Sequence, residues 1–375
     1  MGNVFDVSKP FRMPMMNLFK LNFLKRSLSR GLIVNSRETL NKRFKTEVII
    51  SSSHCPFANL AFENYIYENR TLSDSERILF IWRNLNAVII GRHQNPWKEV
   101  NLEKLGQMNI DLCRRMSGGG SVFHDLGNVN FTFFTSKANY NRKENLDYII
   151  ETLLRDFRID VSRNEKDDIV LDKMYKVSGT AAKLGLKNCY HHCTLLCETK
   201  LKNLSGLLVN PFGEKIVTNA TASIRSKTKN LFSDNFNFDK IVNTFTSNFH
   251  RKYRSENETN QDTSIVCPET ITTIAKKSKE LRSWDWVYGK SPKFTLPFCL
   301  LVEGTNFEIK AVINKGKFED FSFSPKVDSK ISDILERLKG CRFHREDILF
   351  NLLEFSKDKD KYPICKEIMS LVDAY

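Results

Sequence analysis

The spacing of apolar residues along this chain separates segments of helix character from segments of strand character. From Pro56 onward, apolar side chains recur every three or four residues, which is typical of a buried helix face, and proline is favoured in a first helical turn. The same spacing predicts further helices at residues 102–108, 146–157, 238–250, 331–338 and 346–355. Short apolar or alternating runs predict strands at residues 78–82, 87–90, 110–114, 129–135, 169–171, 175–178, 190–198, 294–303 and 307–313.

The polar stretches between these segments predict how the chain is organised. Residues 83–86 form a predicted turn, so the strands on either side of it are predicted to pair with each other. Residues 251–264 contain few apolar side chains and are predicted to form a loop or linker. The strands and helices that follow are enough for a second α+β domain. We therefore predict one domain at residues 44–275 and a smaller one at residues 276–375.

The first 43 residues differ in charge from the rest of the chain. They hold nine Lys and Arg residues against two acidic residues, and apolar side chains such as Phe11 and Leu18 are interspersed among the basic ones. A basic, acid-poor, amphipathic start that contains serine is typical of a mitochondrial transit peptide. A secretory signal needs an unbroken apolar run, which is missing. We predict a transit peptide at residues 1–43, the alternative being a disordered basic arm.

The composition argues against several classes of protein. Hydrophobic residues make up 41% of the 375 positions and charged residues 27%, which fits a globular protein rather than a mostly disordered one. No run of 18 apolar residues occurs, so a membrane-spanning helix is not predicted. The net charge of +14 falls to +7 without the tail, which weakens a nucleic-acid function but suits acidic proteins and phosphates. Nine cysteines without a secretory signal predict reduced thiols.

Three consecutive glycines, Gly118–Gly120, stand in a loop that follows a predicted strand. Without side chains, this backbone can approach a ligand closely and offer its N–H groups to oxygen atoms. Arg115 and Ser117 flank the loop with a guanidinium and a hydroxyl. The loop is neither a Walker loop nor a dinucleotide-binding loop, because the residues that define those motifs are missing. A triple glycine alone is weak evidence for a ligand-binding loop, since a plain hairpin turn can also contain three glycines.

The residues around these glycines resemble the signature of lipoate–protein ligases and lipoyltransferases. Residues 114–128 read Arg-Arg-Met-Ser-Gly-Gly-Gly-Ser-Val-Phe-His-Asp-Leu-Gly-Asn, and residues 91–96, 172–181 and 284–292 resemble three more motifs of that family in the family's order. Residues 191–196 resemble its His-Gly-Thr-Leu-Leu element, with Cys193 in place of glycine, as in the animal mitochondrial branch. The resemblance covers about residues 46–375.

The resemblance implies an α+β fold: a mixed-sheet catalytic domain of the lipoate–protein ligase and biotin ligase type, followed by an accessory domain. It implies transfer of a lipoyl group to lysines of lipoyl domains in 2-oxoacid dehydrogenase E2 subunits, in the mitochondrial matrix. The donor is lipoyl-AMP or the lipoylated H protein of glycine cleavage, with no tightly bound cofactor. The alternatives are a ligase that also activates lipoate with Mg-ATP and a non-catalytic lipoyl-domain-binding protein. We expect a monomer that binds no nucleic acid.

The resemblance also assigns roles to residues of this sequence. Lys176 is the predicted catalytic residue, because its ammonium can stabilise the developing oxyanion and the phosphate leaving group. Arg92 and Arg115 are predicted phosphate or carboxylate contacts, and Asp168 is the acidic residue near the adenine. The full set of predicted lipoyl-AMP contacts comprises Arg115, Ser117, Gly118, Gly119, Gly120, Val122, Phe123, Lys166, Asp168, Ser178, Thr194, Thr221 and Ala222.

A dense group of cysteines and histidines offers two rival interpretations. Cys189, His191, Cys193 and Cys197 lie in a row on one face of a predicted strand and are candidate zinc ligands. A tetrahedral site normally takes ligands from two segments, and no second pair stands out in the sequence. Cys193 as an acyl-thioester nucleophile needs a nearby base, and strand alternation turns His192 to the other face. We predict no metal site.

Overall fold

A computed structural model describes residues 44–254, 262–325 and 329–372 of the chain. The predicted transit peptide lies outside the described residues. The strands are β1 (Lys45–Ser51), β2 (Glu76–Trp82), β3 (Ala87–Ile90), β4 (Asp111–Arg114), β5 (Val122–His124), β6 (Asn128–Ser136), β7 (Val161–Arg163), β8 (Ile169–Leu171), β9 (Tyr175–Lys176), β10 (Ser178–Leu184), β11 (Asn188–Leu196), β12 (Val217–Thr218), β13 (Asp262–Val266), β14 (Phe294–Val302), β15 (Thr305–Asn314) and β16 (Lys317–Ser324).

The α-helices lie between groups of these strands and at the end of the described chain. They are α1 (Pro56–Asn69), α2 (Pro96–Glu99), α3 (Leu102–Gln107), α4 (Arg142–Phe157), α5 (Leu201–Leu207), α6 (Phe238–Tyr253), α7 (Thr272–Arg282), α8 (Trp284–Val287), α9 (Ser329–Leu338), α10 (Arg345–Leu352) and α11 (Tyr362–Val372). Four of them begin after an asparagine whose side chain accepts a backbone N–H of the first turn, which is a preferred way to start a helix. These caps are Asn95, Asn101, Asn141 and Asn237.

A six-stranded mixed sheet, in the order β10-β11-β6-β2-β1-β13, forms the centre of the fold. Side chains alternate between the two faces of a strand. Along β2, Leu79 and Ile81 pack with helices α4 and α6, whereas Phe80 and Trp82 pack with α1, α7 and α8 on the other face. Both faces of the sheet are therefore buried, which explains the long apolar runs in its strands.

Smaller sheets surround this centre. The order β4-β3-β5 brings together the strands on either side of the glycine loop, and β7-β8-β9 forms a separate antiparallel sheet that carries Lys176. The sheet β12-β14-β15-β16 packs against α9, α10 and α11 in an apolar core of its own. None of the described helices combines the length and the apolar character that a membrane crossing requires.

Most predicted elements are present, and the combination of helices with mixed sheets confirms the predicted α+β class. The predicted pairing of residues 78–82 with 87–90 is wrong, because β2 pairs with β1 and β6 whereas β3 pairs with β4 and β5. The predicted loop at residues 251–264 is also wrong at both ends. Helix α6 runs on to Tyr253, and β13 begins at Asp262 as a parallel neighbour of β1.

The region around residue 276 contains elements that the sequence pattern did not predict. Helix α7 packs against α1 through Ile274 and Leu281 in the core of the central sheet. Trp284 and Trp286 stand in the short helix α8, and β16 and α11 were not predicted. Residues from Phe44 onward form one compact unit. The division into two domains at residue 275 stays a prediction.

Candidate active site

A cavity of about 750 Å³ lies among β10, β11, the glycine loop and the segment 221–228. Its wall is mainly apolar, with Leu60, Trp82 and Ile89 on one part of it. The predicted catalytic Lys176 lines it, together with nine of the predicted contact residues, namely Arg115, Gly119, Gly120, Val122, Phe123, Ser178, Thr194, Thr221 and Ala222. Ser117, Gly118, Lys166 and Asp168 stand outside this lining. The fold thus brings residues from four distant parts of the sequence to one cavity.

Lys176 is held in the cavity wall by its backbone. It pairs with Val170 in β8, its N–H donates to the Lys227 carbonyl at 2.8 Å, and its carbonyl accepts the Lys229 N–H at 3.3 Å. Its ammonium contacts the Asp168 carboxylate at 2.8 Å, and 26% of the side chain is exposed. A lysine fixed in this way presents its remaining N–H donors at a defined point.

The structure places Asp168 beside Lys176. The Asp168 N–H donates to the Asn164 side-chain oxygen at 2.9 Å, and the same oxygen accepts the Lys166 N–H at 3.0 Å. This turn directs the Asp168 carboxylate to the Lys176 ammonium and leaves the Lys166 side chain exposed. The contact of Asp168 with adenine stays a prediction, whereas its contact with the lysine is direct.

The glycine loop is shaped by two close approaches. A Cβ on Gly91 would stand 2.0 Å from the Gly119 carbonyl oxygen, so no side chain fits there, and Gly119 has a φ of +87°, a conformation that favours glycine. The Arg115 guanidinium fixes the conformation of the loop, because it donates to the carbonyls of Gly118 (2.5 Å) and Gly120 (2.8 Å). Burial lowers the pKa of Arg115 to about 10. Arg115 thus contacts the loop itself and also borders the cavity.

Arg114 is a fully buried cation that ties the glycine loop region to the segment after α8. Its guanidinium donates to the carbonyls of Gln94 at 2.8 Å and Val287 at 2.6 Å, and to the Ser291 hydroxyl at 2.9 Å. Burial lowers the pKa of Arg114 to about 9. Trp286 donates from its indole to the Arg114 carbonyl at 2.8 Å. Residues 286–291 are therefore hydrogen-bonded to the strand residue that leads into the glycine loop.

A chain of buried side chains follows the cavity wall at His192. The His192 ring contacts the Ser117 hydroxyl through Nε2 at 2.9 Å and the Glu63 carboxylate through Nδ1 at 2.8 Å. Arg115 donates to the Ser117 oxygen, so the Ser117 hydroxyl can donate its own proton to Nε2 of His192. The ring proton of His192 is then on Nδ1, which donates to Glu63. Thr132 donates to the same Glu63 oxygen at 2.8 Å. This hydrogen-bonded series therefore ends at Arg115, which donates to Ser117, and at Thr132, which donates to Glu63.

His124 is a second imidazole in the cavity wall, and its proton can be assigned from its neighbours. The Asn59 amide donates to backbone carbonyls and to the Asn84 side-chain oxygen at 2.9 Å. The Asn84 amide therefore donates to His124 Nδ1 at 3.0 Å, which places the ring proton on Nε2. Burial lowers the pKa of His124 to about 3, so the ring is neutral.

The segment that carries Thr221 and Ala222 forms one side of the cavity. The Thr221 N–H donates to the His93 carbonyl at 3.0 Å. The Ser223 hydroxyl accepts from the Gln94 amide and from the Ser121 N–H, both at 3.0 Å. The motif at residues 91–96 thus holds residues 221–223 in place by hydrogen bonds, which gives His93 and Gln94 a structural role.

Cys193 borders the cavity but is fully buried, and its thiol donates to the Thr194 carbonyl at 3.2 Å. Burial raises the pKa of the Cys193 thiol to about 12, which disfavours the thiolate that a nucleophile needs. The His192 imidazole contacts Glu63 and Ser117 instead of this thiol. Within the described ranges, no three His, Cys, Asp or Glu side chains are grouped so that they could hold a metal ion.

The sequence did not predict Glu63 as the partner of His192 or His124 as part of the cavity wall, and it offered His192 only as a possible base. A signal for Glu63 existed, because Asn59 and Glu63 are polar residues four apart on a helix that is otherwise buried almost all round. Two polar residues at this spacing on a buried face need partners, which indicates a hydrogen-bond network rather than a plain core. His124 gave no such signal beyond its place in the glycine-loop motif.

Comparison with known proteins identifies the family to which the chain is similar. The family description "Lipoyl protein ligase A/B catalytic domain" matches residues 55–250. The human protein named lipoyl amidotransferase LIPT1, mitochondrial, is 41% identical over 73% of this chain and 74% of its own length. A protein of Bdellovibrio bacteriovorus named lipoate-protein ligase A is 33% identical over 81% of this chain and 90% of its own.

A solved structure of similar fold is that of LipL1 from P. falciparum in complex with lipoate. It has a TM-score of 0.56 and 26% identity, covering 88% of this chain and all of that one. The predicted lipoate–protein ligase type of fold is thereby confirmed, and so is the resemblance inferred from the motifs. The chain belongs to the lipoyl protein ligase A/B family.

Proposed function

We propose that this protein is a lipoyltransferase that moves a lipoyl group from an activated donor to the ε-amine of a lysine on a lipoyl domain. The observation that carries the proposal is the Lys176 ammonium in the wall of a mainly apolar cavity, beside a glycine loop. The 41% identity to a protein named lipoyl amidotransferase supports the same reaction. An acyl chain fits the apolar wall, and the activated carbonyl is expected at the cation.

The reaction follows from the chemistry of a mixed anhydride. The acceptor amine attacks the acyl carbon of lipoyl-AMP, a C–N bond forms, the C–O bond to phosphate breaks, and AMP leaves. The attacking neutral amine gives up one proton to solvent and keeps the other as the amide N–H. Negative charge develops on the acyl oxygen and then on the phosphate, and the Lys176 ammonium is placed to stabilise both. Asp168 holds the ammonium so that two of its donors stay available.

The remaining predicted contacts serve the two ends of the donor. Val122 and Phe123 wall the apolar part of the cavity, where a dithiolane ring and its carbon chain are excluded from water. Gly119 and Gly120 allow the acyl-phosphate to approach the backbone. Thr194, Thr221 and Ala222 border the same space, and Lys166 on its exposed turn is a candidate contact for the nucleotide.

Several finer points belong to this proposal. We infer that the donor is lipoyl-AMP or the lipoylated H protein of glycine cleavage, and that no cofactor is tightly bound. The acceptors are lipoyl domains of 2-oxoacid dehydrogenase E2 subunits. We expect a monomer that acts in the mitochondrial matrix after removal of residues 1–43. The name of the human relative, which includes the word mitochondrial, supports this location.

One experiment tests the proposal and its nearest alternatives. The full chain is incubated with an apo lipoyl domain and one of three donors: lipoyl-AMP, lipoate with Mg-ATP, or lipoylated H protein. The acceptor is then weighed by mass spectrometry. We expect a lipoyl mass increase with lipoyl-AMP. An increase with lipoate and Mg-ATP, accompanied by ATP–pyrophosphate exchange, would assign a full ligase instead. No increase with any donor would assign a non-catalytic binding protein.

A further inference from the structure

Strand β10 forms an open edge of the central sheet. It stands first in the order β10-β11-β6-β2-β1-β13, and among the described residues it pairs only with β11. Four consecutive residues of this strand also line the cavity, namely Ser178, Gly179, Thr180 and Ala181. The open sheet edge and the cavity therefore share one strand.

A hydrogen bond at the end of the β10–β11 hairpin shows which peptide groups of β10 point outward. The Gly185 N–H donates to the Asn188 carbonyl at 3.0 Å. Antiparallel partners exchange such bonds at every second residue pair. By this alternation the peptide groups that face β11 belong to Gly179, Ala181 and Lys183. Those that face away from the sheet belong to Thr180, Ala182 and Leu184, and no hydrogen bond within the described part of the chain reaches their N–H groups.

The two residues of β10 that stand on the same face as His192 and line the cavity, Gly179 and Ala181, are small. Ala181 lies directly opposite His192 in β11, so it shares the face of the sheet on which His192 contacts Glu63. Gly179 is on the same face, where a Cβ would stand 3.2 Å from both Thr194 and Val122. A strand added beside β10 would carry every second side chain on this face, over Gly179 and Ala181. Because both residues line the cavity, a long side chain on this face lies along the cavity wall.

The edge carries features of a strand that is completed by a partner. Leu184 is 63% exposed and Leu186 is 92% exposed at its far end. Open edges with exposed apolar residues readily pair with another chain. The cations Lys183 and Lys187 lie along the same hairpin, and acidic counterparts are missing from residues 178–190. The charge suits an acidic segment rather than a second copy of this basic strand.

We propose that the acceptor protein docks by adding an extended segment, which carries its target lysine, to the outer edge of β10. The inference rests on the proposed function, because the attacking amine belongs to a protein and must enter the cavity. Backbone hydrogen bonds to Thr180, Ala182 and Leu184 supply affinity without reading sequence, as in other cases of strand addition. The target lysine then projects on the face of Gly179 and Ala181 toward Lys176.

The test combines a backbone substitution with two acceptors of different size. Ala182→Pro removes one outward N–H, and proline is tolerated on an edge strand where the N–H faces solvent. Ala182→Gly keeps the N–H and is the matched control. With lipoyl-AMP as donor, we expect Ala182→Pro to lower kcat/KM for an apo lipoyl domain by about tenfold or more. Formation of the hydroxamate from hydroxylamine, a small amine that needs no docking, stays unchanged.

Hydrogen exchange of the unmodified full chain provides an independent measurement if the proline variant does not fold. On addition of the apo lipoyl domain, we expect slower exchange at the amides of Thr180, Ala182 and Leu184, with little change at Gly179, Ala181 and Lys183. Unchanged exchange at saturating acceptor, or normal transfer by a folded Ala182→Pro variant, overturns the proposal. Protection that grows with the concentration of this chain alone assigns the edge to a second copy. Absence of enzyme-dependent hydroxamate would instead contradict the proposed function.

Discussion

Two polar arrangements reach the cavity wall, one through Lys176 and the other through His192, and they are built in opposite ways. The Lys176–Asp168 pair is partly exposed, and Asp168 is the one side-chain partner that the described residues give to the ammonium. In the Glu63–His192–Ser117 chain, the Glu63 side chain is only 2% exposed and each link has a partner on both sides. A cation with spare donors can respond to charge that develops on a substrate. A closed buried chain fixes the shape of its surroundings.

The same contrast separates Lys176 from the arginines of the glycine loop. Arg114 and Arg115 are buried, and carbonyl or hydroxyl oxygens occupy their donors. Burial lowers the pKa of each guanidinium, but to values that leave it charged at neutral pH. The two arginines therefore hold the loop, whereas the Lys176 ammonium keeps donors available for chemistry in the cavity wall. Substitution of Lys176 should therefore lower activity, whereas substitution of the buried groups should lower the free energy of unfolding.

The largest effect on activity is expected at Lys176. Lys176→Ala removes the available cation and should lower single-turnover transfer from lipoyl-AMP to an apo lipoyl domain by about 10²–10³. The fold should be unaffected, because the lysine is held by its backbone. Lys176→Arg should restore little, since a planar guanidinium does not occupy the point position of an ammonium. An Ala variant with normal transfer and normal thermal stability would place the reactive cation elsewhere.

The largest effect on stability is expected at Glu63. Glu63→Leu leaves the His192 and Thr132 donors buried without an acceptor, at a cost of about 1–3 kcal/mol for each. The free energy of unfolding, measured with urea, should fall by roughly 2–6 kcal/mol. Glu63→Gln, which keeps an oxygen acceptor, should lose less. If Glu63→Leu is as stable as the unmodified protein but cannot transfer, the chain takes part in the reaction and the contrast is wrong.

A smaller effect, which depends on pH, is expected at His124. Burial lowers its pKa to about 3, whereas an unfolded histidine titrates near 6.5. The unfolded state therefore binds a proton first as the pH falls, and the stability that is present above pH 6.5 is lost progressively below it. From pH 7 to 5 this one ring should account for a loss of about 2 kcal/mol. Urea unfolding of His124→Gln should show a pH dependence that is weaker by that amount.

The exposed His93 provides the control for this measurement, because His93→Gln also removes an imidazole but from the surface. If the His124→Gln and unmodified curves run parallel from pH 7 to 5, the ring takes up its proton over the same pH range in the folded and unfolded states, and its description as a buried neutral ring is wrong. His191 is a second buried ring whose pKa burial lowers to about 3, and it should behave as His124 does.

The sequence was sufficient to predict local elements and the family, but not long-range pairing. Strands β2 and β3 follow one another across a short turn, which favours a hairpin. Both are buried apolar runs, however, and such runs carry no period that distinguishes one neighbour from another. The structure sends β2 into the central sheet and β3 into the sheet of the glycine loop. Trp82 of β2 and Ile89 of β3 both line the cavity, so each of the two sheets contributes to its wall.

The candidate site was predictable to a similar degree. Motif resemblance located Lys176 and the glycines, because backbone approach and a fixed cation need particular residues at particular positions. It did not separate Arg115 as a loop contact from Arg115 as a ligand contact, because both uses need the same guanidinium. Nor did it pair Asp168 with Lys176, since the two meet only when β8 and β9 fold against each other.

The smallest effect is expected at Cys193, which borders the cavity yet belongs with the closed, buried groups. Cys193→Ser keeps a donor for the Thr194 carbonyl, and the mixed anhydride is already activated, so no thioester is needed. Single-turnover transfer should stay within about threefold of the unmodified rate, because a buried thiol of raised pKa is a poor nucleophile. Thr180→Ser, a similarly conservative change in the neighbouring strand, is a matched control. A Cys193→Ser variant that is folded but inactive, beside an active Lys176→Ala, would replace direct attack by a covalent cysteine route.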